Sequence, residues 1–127
     1  MMKKILFLIY ISILLVSCSL DRDNPVDPHQ GYIRIPPQVT NIFVIEQNNF
    51  VSISWDGIED IDGFYLYRSM SYDGYYELLQ DLENTVTLFE DTDVDIVNNF
   101  YWYKLSAYTT VGEDRLEGIR SDPHTWN

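Results

Sequence analysis

Cysteine is almost missing from this chain: its 127 residues hold one, Cys18. A single thiol excludes an internal disulfide framework and the small folds stapled by one. Histidine is nearly as scarce, with His29 and His124 lying toward opposite ends of the sequence. A zinc set has too few Cys and His donors, and a nucleophile–histidine–carboxylate triad has no base near its core strands. Positive charge is short too, with 8 Lys and Arg against 20 Asp and Glu and a formal net charge of −12. That balance excludes nucleic acid as a partner, because nothing basic is present to displace phosphate counterions. No apolar run reaches the roughly 20 residues of a membrane-spanning helix. Beyond Cys18 no stretch carries the 3.6-residue period of an amphipathic helix.

What is present begins with a leader. Lys3 and Lys4 form a positive start, and Ile5 to Val16 is an apolar run of signal-peptide length. It ends in Leu15-Val16-Ser17-Cys18, which resembles the lipobox of bacterial lipoproteins. The resemblance implies that residues 1–17 are a signal peptide and that Cys18 becomes the first mature residue and carries the lipid. The partner so implied is a membrane, reached through the N-terminal lipid, and several buried acyl chains at roughly 0.8 kcal/mol per CH₂ would hold firmly. Ser19, where an Asp would favour inner-membrane retention in enterobacterial lipoproteins, points to an outer-membrane or cell-surface location. Residues 18–35 read as a lipid-anchored tether rich in Pro and Asp, able to span roughly 50–60 Å when extended. Asp21, Asp23 and Asp27 lack the glycine bend and closing glutamate of a calcium loop and read as a solvated spacer.

The rest holds enough apolar material for one core, the whole chain being 46% hydrophobic and 15% aromatic. Its organising stretch runs from Asn99 to Tyr108, a clean period-two alternation without Gly or Pro. Tyr101, Tyr103, Leu105 and Ala107 share one face; Phe100, Trp102, Lys104, Ser106 and Tyr108 share the other. Before it come a strand at Ile42 and Val44, one at Val51 to Trp55, and one with Phe64 and Leu66 facing the core and Tyr65 and Tyr67 facing away. Asp73-Gly74 signals a hairpin, Tyr75 to Leu79 returns, and Thr85 to Phe89 is a further strand before the acidic Glu90 to Asp95. After Gly112 a weaker last strand runs from about Leu116 towards Trp126 and carries Pro123. About seven short strands at regular spacing give an all-β fold, a β-sandwich.

Val51-Ser52-Ile53-Ser54-Trp55-Asp56, Asp62-Gly63-Phe64-Tyr65-Leu66-Tyr67-Arg68-Ser69 and Tyr101-Trp102-Tyr103-Lys104-Leu105-Ser106-Ala107 resemble a fibronectin type III domain in order and spacing. The resemblance covers residues 36–127 and implies an immunoglobulin-like, seven-stranded β-sandwich. It implies that Trp55 is a core residue. It also implies that Tyr101 is a tyrosine corner whose hydroxyl bonds back to the turn near Val94. Strands C, F and G share a sheet in that family, with C′ beside C.

No catalytic constellation stands out. Asp91-Thr92-Asp93-Val94-Asp95 starts like a calcium loop, but Ile96 and Trp102 stand where a glycine and a glutamate are needed. Glu59, Asp60 and Asp62 read as solvated loop carboxylates rather than a pair held across a groove. The expectation is therefore a chain that is not an enzyme and needs no metal or cofactor. The sharpest candidate is aromatic: Tyr65, Tyr67, Trp102, Tyr108 and Tyr75 (or Tyr76) on the outer face of the implied C–F sheet. Such a patch can stack on a glycan or bury against an envelope protein. Equally, cross-strand aromatic pairs can simply stiffen the sheet. The leading reading is a lipid-anchored binding module of the bacterial cell envelope. The alternatives are a structural spacer or scaffold, or an accessory of a small envelope hydrolase.

Overall fold

A computed structural model of the chain describes residues 33–127; Cys18, the leader and all but the end of the tether lie outside the described residues. Seven strands follow one another: β1 (Phe43–Glu46), β2 (Val51–Ser54), β3 (Gly63–Ser69), β4 (Glu77–Glu83), β5 (Leu88–Asp91), β6 (Trp102–Val111) and β7 (Asp114–Glu117). They form a three-stranded sheet in the order β1-β2-β5 and a four-stranded sheet in the order β4-β3-β6-β7, with every pairing antiparallel. This is an immunoglobulin-like β-sandwich, with β4, β3, β6 and β7 in the places of C′, C, F and G.

The alternation in the sequence decides which residues fill the middle. Val51 and Ile53 from β2 meet Phe64, Leu66, Tyr103, Leu105 and Ala107 from β3 and β6, all fully buried. Trp55, 5% exposed, follows β2 directly and meets Phe64 edge to face, with ring centres 5.6 Å apart. Its indole N–H has no hydrogen-bond partner among the described residues.

One polar cluster ties the two sheets together. Asp91 on β5 is 2% exposed, yet it accepts hydrogen bonds from Arg68 of β3 at 2.9 and 3.0 Å and from the Tyr103 hydroxyl of β6 at 2.9 Å. Burial opposes the Arg68 charge, but the Asp91 carboxylate outweighs it and holds the guanidinium above its ordinary pKa. Burial, then the neighbouring Asp91 charge, pushes the Tyr103 hydroxyl far up. A charge this deep is tolerated because it is paired and hydrogen-bonded on several sides.

Strand limits differ from the sequence reading by a residue at β1 and β2, and by more at the following places, for local reasons. The organising strand begins at Trp102 rather than Asn99, because Tyr101 is held outside it, its hydroxyl accepting from the Asp95 N–H at 3.0 Å. The returning strand spans Glu77–Glu83 instead of Tyr75 to Leu79, because the Tyr76 hydroxyl donates to the Tyr72 carbonyl and keeps the turn going through residue 76. The strand expected at Thr85 to Phe89 is Leu88–Asp91, so Asp91 belongs to the sheet and not to an acidic loop. The last strand is short, since β7 ends at Glu117. Beyond it the chain keeps contact with β6 only at intervals, through Gly118 to Ala107, Ser121 to Leu105 and His124 to Tyr103. The tight two-residue hairpin falls at Gly112-Glu113, where Gly112 has φ of 64°, a left-handed conformation that a glycine adopts without strain.

Candidate functional site

The outer face of the four-stranded sheet carries the aromatic residues singled out from the sequence, and the structure divides them into two groups. Tyr67 and Tyr108 are locked. Tyr67 reaches from β3 towards β7, where its hydroxyl donates to Glu117 Oε1 at 2.6 Å. The same oxygen accepts from Ser106 Oγ at 2.6 Å and Arg120 Nε at 3.0 Å, and the Arg120 guanidinium sits 3.8 Å from the Tyr67 ring centre. Tyr108 leans the other way, from β6 over Gly63 of β3, and donates to Asp81 Oδ1 of β4 at 2.8 Å. Arg115 grips the other oxygen of Asp81 and lies 4.5 Å from the Tyr108 ring centre.

The two arrangements are one device used twice: a tyrosine laid over a neighbouring strand, a carboxylate at its tip, and an arginine on both. The protonation states follow from this. Burial and the hydrogen bond to Glu117 push Tyr67 up to about 12. Burial and the hydrogen bond to Asp81 do the same to Tyr108, also to about 12. Burial alone would raise Glu117 and Asp81. Hydrogen bonds from Ser106, Tyr67 and Arg120 instead hold Glu117 below its ordinary value, and those from Arg115 and Tyr108 do so for Asp81. Tyr65 lies between the two clasps, stacked on Tyr108 at 4.5 Å and edge-on to Tyr67 at 6.3 Å.

This corrects the open recognition surface expected there. Tyr67 and Tyr108 are 6% and 5% exposed, so neither offers a ring face to a large ligand. The sequence showed that they share a face; it did not show that Arg115 and Arg120, brought in by β7 and the segment after it, would cover that face.

The open aromatics lie at the other end of the sheet, around the turn from Ser69 to Tyr76. Trp102, half-buried at the start of β6, meets Tyr72 edge to face with ring centres 5.1 Å apart, and Tyr72 is 53% exposed. Tyr75 precedes β4 and is 83% exposed, so it stands on the turn and not on the sheet face where the sequence put it. Met70 is exposed on the same turn. A cleft of about 480 Å³ opens beside it, lined by Arg68, Met70, Gly74, Tyr75 and Tyr101 among others. Lys104 extends over the Tyr76 ring, its Nζ 4.5 Å from the centre. The turn is held internally, with Ser71 N–H donating to Ser69 Oγ at 3.2 Å and Gly74 N–H to the Ser71 carbonyl at 3.2 Å. The arrangement offers flat apolar rings, one cation over an aromatic and a shallow cleft. That suits stacking and polar capture rather than bond making.

Of the sequence-derived residues, the structure brings Tyr65, Tyr67 and Tyr108 together in the locked layer and sets Trp102 and Tyr75 at the turn. Tyr72 and Met70 were missed, because they fall in a segment whose Asp-Gly reads only as a turn. The crowding of Tyr72, Tyr75 and Tyr76 around that Asp-Gly was the available signal. Among the described residues no group of His, Cys, Asp and Glu is placed to hold a metal ion.

No family model matches the sequence, and no curated protein is similar to it. Solved structures do match. Chicken CNTN1 domains FN1–FN3 align with a TM-score of 0.59 at 16% identity, over 72% of this chain and 30% of that one. A structure described as a myokine aligns with a TM-score of 0.56 at 20% identity, over 72% of this chain and 95% of that one. The pectate lyase Pel3 of Pectobacterium carotovorum aligns with a TM-score of 0.51 at 18% identity, over 62% of this chain and 24% of that one. At these identities the likeness is one of fold. Residues 34–127 have the fibronectin type III fold.

Proposed function

We propose that this chain is a non-catalytic binding module of the bacterial cell envelope, lipid-anchored through Cys18, whose ligand is a glycan or an envelope protein. The observation that carries the binding reading is the exposed cluster on the Ser69–Tyr76 turn, where Tyr72, Tyr75 and Met70 stand open beside Trp102. An exposed ring already packed on a neighbour, as Tyr72 is on Trp102, loses little conformational freedom on stacking against a sugar or a side chain. Support for the anchor comes from the sequence alone, in Leu15-Val16-Ser17-Cys18 behind a short apolar run. The glycan option draws some support by analogy, since a part of similar fold, 24% of that chain, occurs within a pectate lyase.

A second reading, a structural spacer, is favoured by the two clasps, which commit much of the aromatic face to holding four strands together. One experiment separates the two. The full chain in detergent is screened on a glycan array and in pull-downs of envelope proteins, beside Trp102→Ala and Tyr72→Ala. A binding module loses its ligand in both variants, by more than about 1 kcal/mol each. A spacer binds nothing, or binds equally in all three. Cys18→Ala tests the anchor separately, through loss of acyl labelling and release from membranes.

A further inference from the structure

The three-stranded sheet has an edge that nothing among the described residues covers. In β1 the residues paired through hydrogen bonds to β2 are fixed by the Gln47 N–H to Phe50 carbonyl bond that closes their hairpin. Counting back by twos along the antiparallel register, Ile45 and Phe43 bond to Ser52 and Ser54. The N–H and C=O groups of Val44 and Glu46 therefore point the other way, out of the sheet. Val44 and Glu46 also line a lateral cleft of about 680 Å³, shared with Ile96, Val97 and Trp126. Free backbone groups and an open cleft, whose apolar side chains Val44, Ile96 and Trp126 share it with the polar Gln47, Asn48 and Asn127, thus coincide on one flank.

The other three edges are treated differently, β5 carrying Glu90 and Asp91 in its four residues. Just past the end of β7 the arriving chain packs alongside, with the Pro36 carbonyl against Gly118 and Gln38 Nε2 donating to the Arg120 carbonyl at 3.0 Å. β4 carries Glu77, Asp81 and Glu83 along its length. β1 has no proline, no bulge and one charge, Glu46, and an edge of that kind is a template for pairing with another strand.

We infer that the β1 edge accepts an extended polypeptide segment as a fourth strand, with an apolar residue opposite Val44 and a Lys or Arg opposite Glu46. Residues paired with Val44 and Glu46 share their face, so both side chains of the partner enter the cleft, one against Ile96 and Trp126 and one towards the Glu46 carboxylate. The intervening partner residues stand on the outer face beside Phe43 and Ile45, which are 60% and 54% exposed. The charge pattern selects the partner. Strands β1, β2 and β5 contain no Lys or Arg, while the described cations are Arg34, Arg68, Lys104, Arg115 and Arg120. A second copy of this chain would bring the same net charge of −12 and no cation on the matching strand, so a cationic, alternating segment of another protein fits better.

The test uses the full chain and a short synthetic peptide in which threonine alternates with Lys, Val, Val and Lys, beside the same peptide carrying Glu in place of Lys. The expected result is binding of the Lys peptide with at least tenfold slower amide exchange at Val44 and Glu46. Val44→Pro removes an N–H that the β1–β2 ladder does not use and should weaken binding at least tenfold with the fold kept. Glu46→Lys, on an exposed side chain, should reverse the preference and favour the Glu peptide. The inference is overturned if the Lys peptide does not bind, or if both peptides bind alike. Protection at other residues, or at Val44 and Glu46 before any peptide is added, overturns it as well.

Discussion

Gly63→Ala probes the locked aromatic layer at its tightest point. A Cβ on Gly63 would lie 2.5 Å from the Tyr108 hydroxyl oxygen and 2.6 Å from Tyr108 Cζ, and closer still to the Leu82 carbonyl oxygen. Tyr108 alone could swing aside. The Leu82 carbonyl cannot, because it belongs to β4, paired with β3 at Gly63–Glu83. Forcing a methyl group into such a site costs about 1–3 kcal/mol. Displacing Tyr108 also breaks its bond to the Asp81 carboxylate, and a hydrogen bond to a charged group contributes about 1.5–3 kcal/mol. The sum is about 2.5–6 kcal/mol, which at about 4–8 °C per kcal/mol lowers Tm by about 10 °C or more in a domain of this size. Urea unfolding followed by tryptophan fluorescence measures it. Tyr108→Phe, which loses only the hydroxyl, should cost less than Gly63→Ala. A Gly63→Ala protein within about 0.5 kcal/mol of the parent would refute the reasoning, since ordinary surface changes fall in that range.

Asp91→Ala should cost about 1–3 kcal/mol or more in the same unfolding assay, because it leaves the buried Tyr103 hydroxyl unpaired and Arg68 with Asp93 alone. Tyr101→Phe removes the acceptor of the Asp95 N–H and should cost about 1–2 kcal/mol. Alkaline titration followed at 295 nm should find Tyr67 and Tyr108 ionising only near pH 12. Their folded pKa is raised, so their contribution to stability is complete below about pH 10 and is lost as pH rises towards 12. For Glu117 and Asp81 the sign is opposite: the folded pKa is lowered, so stability is complete above the ordinary carboxylate range and falls in acid below it.

Much of the sandwich was legible because strand alternation is a local property. Tyr103, Leu105 and Ala107 could be placed in the core from their spacing, as could Phe64 and Leu66. The fate of the opposite face was not local. Whether Tyr67 is open or covered depends on Glu117 and Arg120, some 50 residues on, and Tyr108 depends on Asp81 of β4, 27 residues back, together with Arg115 of the neighbouring β7. Period two says which residues share a face; it does not say which charges from the neighbouring strands will lie over them. Asp91 escaped for a similar reason. In the sequence it opens an Asp-x-Asp-x-Asp run, and only the sheet pairing sets it between Arg68 and Tyr103. The turn cluster was hidden by a correct local signal, since Asp73-Gly74 is indeed in a turn and drew attention from the tyrosines around it.

The division of the aromatic residues into a locked layer and a presented cluster is the claim on which the rest depends. Dye-sensitised photochemical polarisation of tyrosine NMR signals tests it directly, because a ring is polarised only when an excited dye can touch it. The account predicts strong signals from Tyr72 and Tyr75 and none from Tyr67, Tyr103 or Tyr108 in the folded protein. Polarisation of Tyr67 or Tyr108 comparable to that of Tyr75 would contradict it and would return the sheet face to the list of open surfaces.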